Sequence, residues 1–189
     1  RTQETELGNL FADIFTESLG VDIMLIGSGS IRSEKLGPVV TYADLIEGFP
    51  YNDGVYMFKV TAGQLREMLR YMVREEAFLG HTEFYQIPSN FRFRYNRERG
   101  DFDSFTYFGK ELGEEISDDT IFTVGMQNFH FQNVEKFLRI SHETISELQK
   151  PRCIASSCQD ILIEYFMEHE WLDAVVDGRM TIEENGIGG

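Results

Sequence analysis

Thiol chemistry is nearly absent from this chain: Cys153 and Cys158 are its only cysteines. Two are too few for a disulfide scaffold, and their spacing is not that of a zinc site, so both read as free thiols that leave the compartment open. No apolar run approaches the roughly 18–20 residues that span a bilayer. The first residues also lack the charged-then-apolar pattern of a secretion signal. No membrane span is expected, and the chain reads as soluble, whether cytoplasmic, secreted or held at a cell surface. Basic residues are scarce as well. Lys and Arg number 17 against 32 Asp and Glu, a net charge of −15. That field repels polyanions and argues against nucleic acid as a general partner, although a local cluster of arginines would still suit a small phosphorylated ligand. Internal repeats and low-complexity linkers are missing. With 189 residues at 42% hydrophobic content, the chain is read as one domain over 1–189. It opens at Arg1 without a methionine, as an excised domain or the mature part of a longer protein would.

What is present begins with Ile26-Gly27-Ser28-Gly29-Ser30-Ile31-Arg32, directly after the apolar run Val21-Asp22-Ile23-Met24-Leu25. A strand emptying into a glycine–serine loop closed by an arginine brings backbone N–H groups and a guanidinium to one point, which suits an oxyanion or phosphate. The plainer reading is a strand-ending turn with a solvated Arg32.

Leu7, Leu10, Phe11, Ile14 and Phe15 fall at offsets 0, 3, 4, 7 and 8 and predict a helix to about Leu19, ended by Gly20. Thr41 caps a short helix that stops at Gly48-Phe49-Pro50, and 55–60 reads as a strand. Thr61 caps a further helix in which Leu65, Met68, Leu69, Met72 and Val73 repeat the same offsets. From 84 to 108, aromatic and β-branched residues alternate with polar ones in three stretches, which predicts antiparallel strands. A strand over 120–126, a helix over 133–140, a strand over 152–155, a helix near 158–169 and a last strand over 179–183 complete the pass. Early alternation of helices and strands with hairpins in the middle predicts a single mixed-sheet α/β (α+β) domain with helices covering the sheet faces.

The order Glu6-Leu7-Gly8-Asn9-Leu10-Phe11-Ala12-Asp13, Gly29-Ser30-Ile31-Arg32, Phe49-Pro50-Tyr51-Asn52 and a Thr-capped helix at Thr61 resembles the C-terminal domain of the 5′-nucleotidase family. The likeness continues through Glu83-Phe84-Tyr85-Gln86, Asn128-Phe129 and Val176-Asp177-Gly178-Arg179-Met180. It implies a substrate-specificity domain that binds the base and ribose of a nucleotide. A separate N-terminal metallophosphoesterase domain, absent from this chain, would carry a pair of divalent metals and hydrolyse the phosphate ester. This chain has no Asp-x-His or Gly-Asn-His run, and its four histidines are scattered. It is therefore expected to hold no cofactor and to be inactive alone.

Carried over by the resemblance, Arg1 and Arg32 contact the ribose or phosphate side, Gly29 belongs to the loop beneath, and Tyr51 and Phe129 stack on the base. Glu135 stands where the family has an aspartate for the ribose hydroxyls. Gly27 departs from the family's asparagine at the start of the loop, and Asn133-Val134-Glu135-Lys136-Phe137 departs from its Gly-Gly-Asp-Gly-Phe. Base and sugar preference are thus open. Hydrolysis of cyclic nucleotides or UDP-sugars, and a non-catalytic nucleotide-binding module, stand as alternatives. His130 reads as a structural histidine, the run Arg92, Arg94, Arg97, Arg99 as a solvated strand face, and Gly80-His81-Thr82-Glu83 as too few ligands for a metal.

Overall fold

The computed structural model describes residues 2–80 and 82–183. Helix α1 (Glu6–Leu19) starts where Thr5 accepts a hydrogen bond from the Gly8 amide and stops at Gly20, whose φ of 63° only glycine adopts cheaply. Strand β1 (Ile23–Gly27) is buried along its length and runs into a single 3-10 turn, Ser28–Ser30. Helix α2 (Tyr42–Gly48) opens on a capping box between Thr41 and Asp44, and α3 (Ala62–Met72) on one between Thr61 and Gln64. Strand β2 (Val55–Thr61) lies between them. Then come β3 (Tyr85–Gln86), β4 (Phe91–Asn96), β5 (Asp101–Tyr107), β6 (Lys110–Glu111) and β7 (Ile121–Gln127). Three short helices follow, α4 (Asn128–Gln132), α5 (Val134–Leu138) and α6 (His142–Leu148), and then β8 (Arg152–Ala155), α7 (Cys158–Glu168) and β9 (Met180–Glu183).

The predicted mixed-sheet α/β class holds, and the strands form two mixed sheets. The first has the order β3-β1-β7-β2-β8, with β1 and β7 parallel and its other pairs antiparallel. The second has the order β6-β5-β4-β9, with β4 and β9 parallel. Alternation in the central strands explains why the first sheet is buried on both faces. Ile23 and Leu25 of β1 and Phe58 and Val60 of β2 enter one core, shared with α3 and with Phe91, Phe93 and Phe105 of the second sheet. Met24 and Ile26, with Val55 and Met57, enter the other, against Phe11 and Phe15 of α1 and Leu162 of α7. The second sheet keeps a polar outer face, on which Arg92, Arg94 and Arg99 pair with Asp177, Glu183 and Asp103, and Arg97 pairs with Glu75.

The helix expected over 133–140 is α5, over Val134–Leu138, and neither α4 just before it nor α6 was anticipated. Arg139 ends α5 at a φ of 57°.

Two of the sequence blocks that carried the family resemblance meet in a clasp. Glu4, 8% exposed, accepts from the Asn9 side-chain amide at 2.6 Å and from the backbone N–H groups of Asp177, Gly178 and Met180 at 2.9, 3.2 and 3.2 Å. The guanidinium of Arg179, 3% exposed, donates to Asp13 at 3.0 Å, to Asp177 at 2.9 Å and to the Ile87 carbonyl at 3.1 Å. Those residues are a structural joint between the first helix and the last strand.

Candidate functional site

Strand direction gathers the predicted site residues. β1 and β7 are parallel neighbours, so the segments leaving their carboxyl ends, the turn 28–30 and helix α4, emerge on the same edge of the first sheet. β2 runs antiparallel to β7 with Val55 opposite Gln127, which puts the segment preceding β2, Phe49 to Gly54, on that edge too. An edge at the carboxyl ends of parallel strands is where ligands of such sheets bind.

Arg32 and Tyr51 meet there. The Arg32 guanidinium donates to the Tyr51 hydroxyl and its Cζ lies 5.3 Å from the Tyr51 ring centre. Both side chains are exposed, Tyr51 at 44%. Phe129 is 58% exposed, with its ring against those of His130 and Phe137 at 5.3 and 6.3 Å. Asp53, two residues after Tyr51, accepts from the Phe129 backbone N–H at 2.9 Å, and the Asn128 N–H donates to Gly54 O at 2.8 Å. The two ring-bearing segments are therefore tied together by side chain and backbone.

Behind them runs a buried polar row. Asp53 Oδ1 accepts from Gln127 Nε2 at 3.0 Å, Gln127 Oε1 accepts from Ser30 Oγ at 2.8 Å, and Ser30 Oγ lies 3.3 Å from His130 Nε2. His130 Nδ1 is 3.0 Å from the Tyr85 hydroxyl. Burial pushes the His130 imidazole down to about 4, against a smaller opposing pull from Asp53. Burial pushes the Tyr85 phenol up. His130 is thus a neutral, hydrogen-bonded core histidine.

The glycine–serine loop is not an open oxyanion cradle. The Ser28 N–H donates to Phe84 O at 2.7 Å and the Gly29 N–H to the Glu83 carboxylate at 2.9 Å. Gly29 lies on the edge, but its amide already holds a carboxylate. Gly27 has a different reason to be glycine. A Cβ there would fall inside the van der Waals envelope of His130 Cε1 and Nε2, so the space that the family's asparagine would need is filled by the imidazole.

One predicted residue is not brought to this place. Glu135, on α5, lines a separate hollow of about 1310 Å³ with Thr61, Tyr71 and Arg139 among its walls, so the ribose contact expected of it has no support in the geometry. Arg1 lies outside the described residues, as does His81 of the Gly80-His81-Thr82-Glu83 run.

A sequence model described as "5'-nucleotidase, C-terminal domain" matches residues 1–140. The chain belongs to that family.

Among solved structures, the fold of this 5′-nucleotidase C-terminal domain is similar to a 5′-nucleotidase precursor from Thermus thermophilus, at TM-score 0.75 and 19% identity over 98% of this chain and 36% of that one. It is similar to the NAD nucleotidase of Haemophilus influenzae at TM-score 0.68 and 16% identity, over 95% of this chain and 33% of that one. A third likeness is to a sulfate thiohydrolase, also from a Thermus species, at TM-score 0.60 and 12% identity over 97% of this chain and 32% of that one. The chain thus spans about a third of the length of these structures. No curated protein matches it. Within the family frame, Asp53, Gln127 and the role of Glu83 were missed by sequence reasoning. Asp53 lies in a turn-forming stretch, Asn52-Asp53-Gly54, and only the pairing of β2 with β7 shows that its carboxylate faces Phe129.

Proposed function

We propose that this edge holds the base and ribose of a nucleotide, as the specificity part of a 5′-nucleotidase-like phosphoric-ester hydrolase. The base stacks on Tyr51 and Phe129, and Arg32, with Arg1 carried over by the family resemblance, addresses the ribose or phosphate side. One observation supports this above the rest: two exposed aromatic rings stand on segments locked together by Asp53, with an exposed guanidinium hydrogen-bonded to one of them. Stacking contributes roughly 1–3 kcal/mol per base and tolerates different bases, and a planar guanidinium suits paired oxygen acceptors. The Gly29 amide, satisfied by Glu83, shapes the loop rather than binding phosphate.

Ester cleavage is assigned to the part of the protein beyond this third, where a metallophosphoesterase domain with two metals would activate water. Among the described residues no group of three or more His, Cys, Asp or Glu could hold a metal ion, and the reading assigns them binding rather than a chemical step. No helix among them is long and apolar enough to cross a membrane.

Calorimetric titration of the chain with adenosine, AMP, uridine, UDP-glucose, cyclic AMP and NAD tests the reading. NAD is included because one similar structure is named a NAD nucleotidase. Saturable binding that survives a change of base is expected, weakened in Arg32→Ala and Tyr51→Ala without loss of fold. Preference for UDP-glucose or cyclic AMP would redirect the substrate. No saturable signal for any of the six would overturn the reading and leave a module without nucleotide recognition.

A further inference from the structure

The row of hydrogen bonds behind the two rings has a direction, and Asp53 sets it. A carboxylate only accepts, so Gln127 must turn its amide NH2 to Asp53 Oδ1 and its Oε1 toward Ser30. The Ser30 hydroxyl gives its single proton to that Oε1 and is left only able to accept from His130 Nε2. His130 is neutral, so its one ring proton sits on Nε2, and Nδ1 accepts from the Tyr85 hydroxyl at 3.0 Å. The second carboxylate oxygen is occupied by the Phe129 N–H at 2.9 Å.

We propose that Asp53 is a positioning residue of the nucleoside site, clamping the Phe129 segment to the Tyr51 segment and, through Gln127 and Ser30, fixing His130 as its Nε2–H tautomer. The row crosses all three segments that carry site residues: Ser30 lies in the turn before Arg32, Asp53 follows Tyr51, and Gln127 and His130 flank Phe129. One carboxylate thereby fixes the geometry of that surface from behind the rings. The effect on affinity rests on the nucleoside-binding reading above; the proton order does not.

Two substitutions separate clamp from bulk. In Asp53→Asn the amide keeps one oxygen for the Phe129 N–H and presents its NH2 to Gln127. The Gln127 amide then turns over, the Ser30 hydroxyl turns to His130 Nε2, and the imidazole proton moves to Nδ1. Asp53→Ala removes both acceptors. Long-range ¹H–¹⁵N correlation of the His130 ring, which distinguishes a protonated from a bare ring nitrogen, reads the tautomer, and calorimetry with adenosine reads the clamp. The native chain is expected to show Nε2–H and Asp53→Asn to show Nδ1–H. Adenosine affinity should fall about tenfold or more in Asp53→Ala, the scale of one charge-assisted hydrogen bond, and stay within about threefold of native in Asp53→Asn.

An Nδ1–H signal in the native chain, or an unchanged tautomer in Asp53→Asn, overturns the proton order. Native affinity in Asp53→Ala, or an equal loss in both variants, overturns the clamp. Absence of adenosine binding by the native chain overturns the nucleoside reading and the clamp's effect with it, while the tautomer still decides the proton order. Should Asp53→Ala fail to fold, Asp53→Asn carries the test alone through the tautomer.

Discussion

Gly27→Ala should change the sign of its effect when His130 is removed. The backbone at Gly27 has φ −60° and ψ 125°, a conformation open to any L residue, so a side chain there meets no intrinsic strain. The obstacle is spatial: the new Cβ would stand closer than 3.0 Å to Cε1 and Nε2 of an imidazole. That ring is 3% exposed and pinned between Tyr85 and Ser30. Overpacking of this kind costs about 1–3 kcal/mol, offset by about 0.4–1 kcal/mol from the reduced freedom of the unfolded chain. At about 2–4 °C per kcal/mol for a domain of this size, the net loss in Tm is roughly 2–8 °C. In a His130→Ala background the clash is gone and the nearest remaining atom is Glu83 Oε1 at 3.1 Å, which need give by only a few tenths of an ångström and can keep its hydrogen bond from the Gly29 N–H. There Gly27→Ala should be neutral or raise Tm by about 1–3 °C. Urea and thermal unfolding of the four proteins in the cycle measure the coupling, expected at about 1–3 kcal/mol. An equal penalty in both backgrounds would show that His130 is not what forces glycine at 27.

Phe129→Ala should weaken adenosine binding about tenfold while leaving Tm within about 2 °C, because the ring is largely in solvent; a large stability loss with unchanged affinity would make the ring a packing element. Arg179→Ala removes the buried donor shared by Asp13, Asp177 and the Ile87 carbonyl, with Arg92 still paired to Asp177, and should cost about 2–3 kcal/mol in urea unfolding; a loss below about 1 kcal/mol would refute the clasp. Stability should fall on acidification from about pH 6.5 to the folded His130 value of about 4, because the unfolded chain binds a proton in that window that the folded ring excludes; the drop is ~3 kcal/mol. Equal stability at pH 7 and pH 4.5 would sink this, and His130→Gln should remove that component. The carboxyl of Asp177, held below its ordinary value chiefly by its hydrogen bond from Arg179, adds stability present above about pH 4 and lost below it.

Helices α1 and α3 were legible because their apolar offsets repeat over several turns and a threonine caps each. Helices α4 and α5, five residues each, are too short to show a period, and Phe129 and Phe131 alternate as a strand would. The division of strands into two sheets depends on which β-segments pair, a long-range choice on which alternation is silent. At the site, the family resemblance brought out Arg32, Tyr51 and Phe129, and the fold places their segments on one edge. It did not bring out that Glu83, 54 residues away, occupies the Gly29 amide, or that Glu135 faces another hollow. Both follow from contacts between distant parts of the chain. Gly27 stood out in the sequence as a departure from the family's asparagine, and it is the space His130 needs.

The clasp of Glu4 and Arg179 ties the last strand to the start of the chain without a covalent link. The connection between α7 and β9, residues 169–179, carries exposed Trp171, Val175 and Val176 and need not be intact for β9 to stay in place. A chain nicked near Asp173 should keep its second sheet whole, and two fragments divided there should reassemble on mixing.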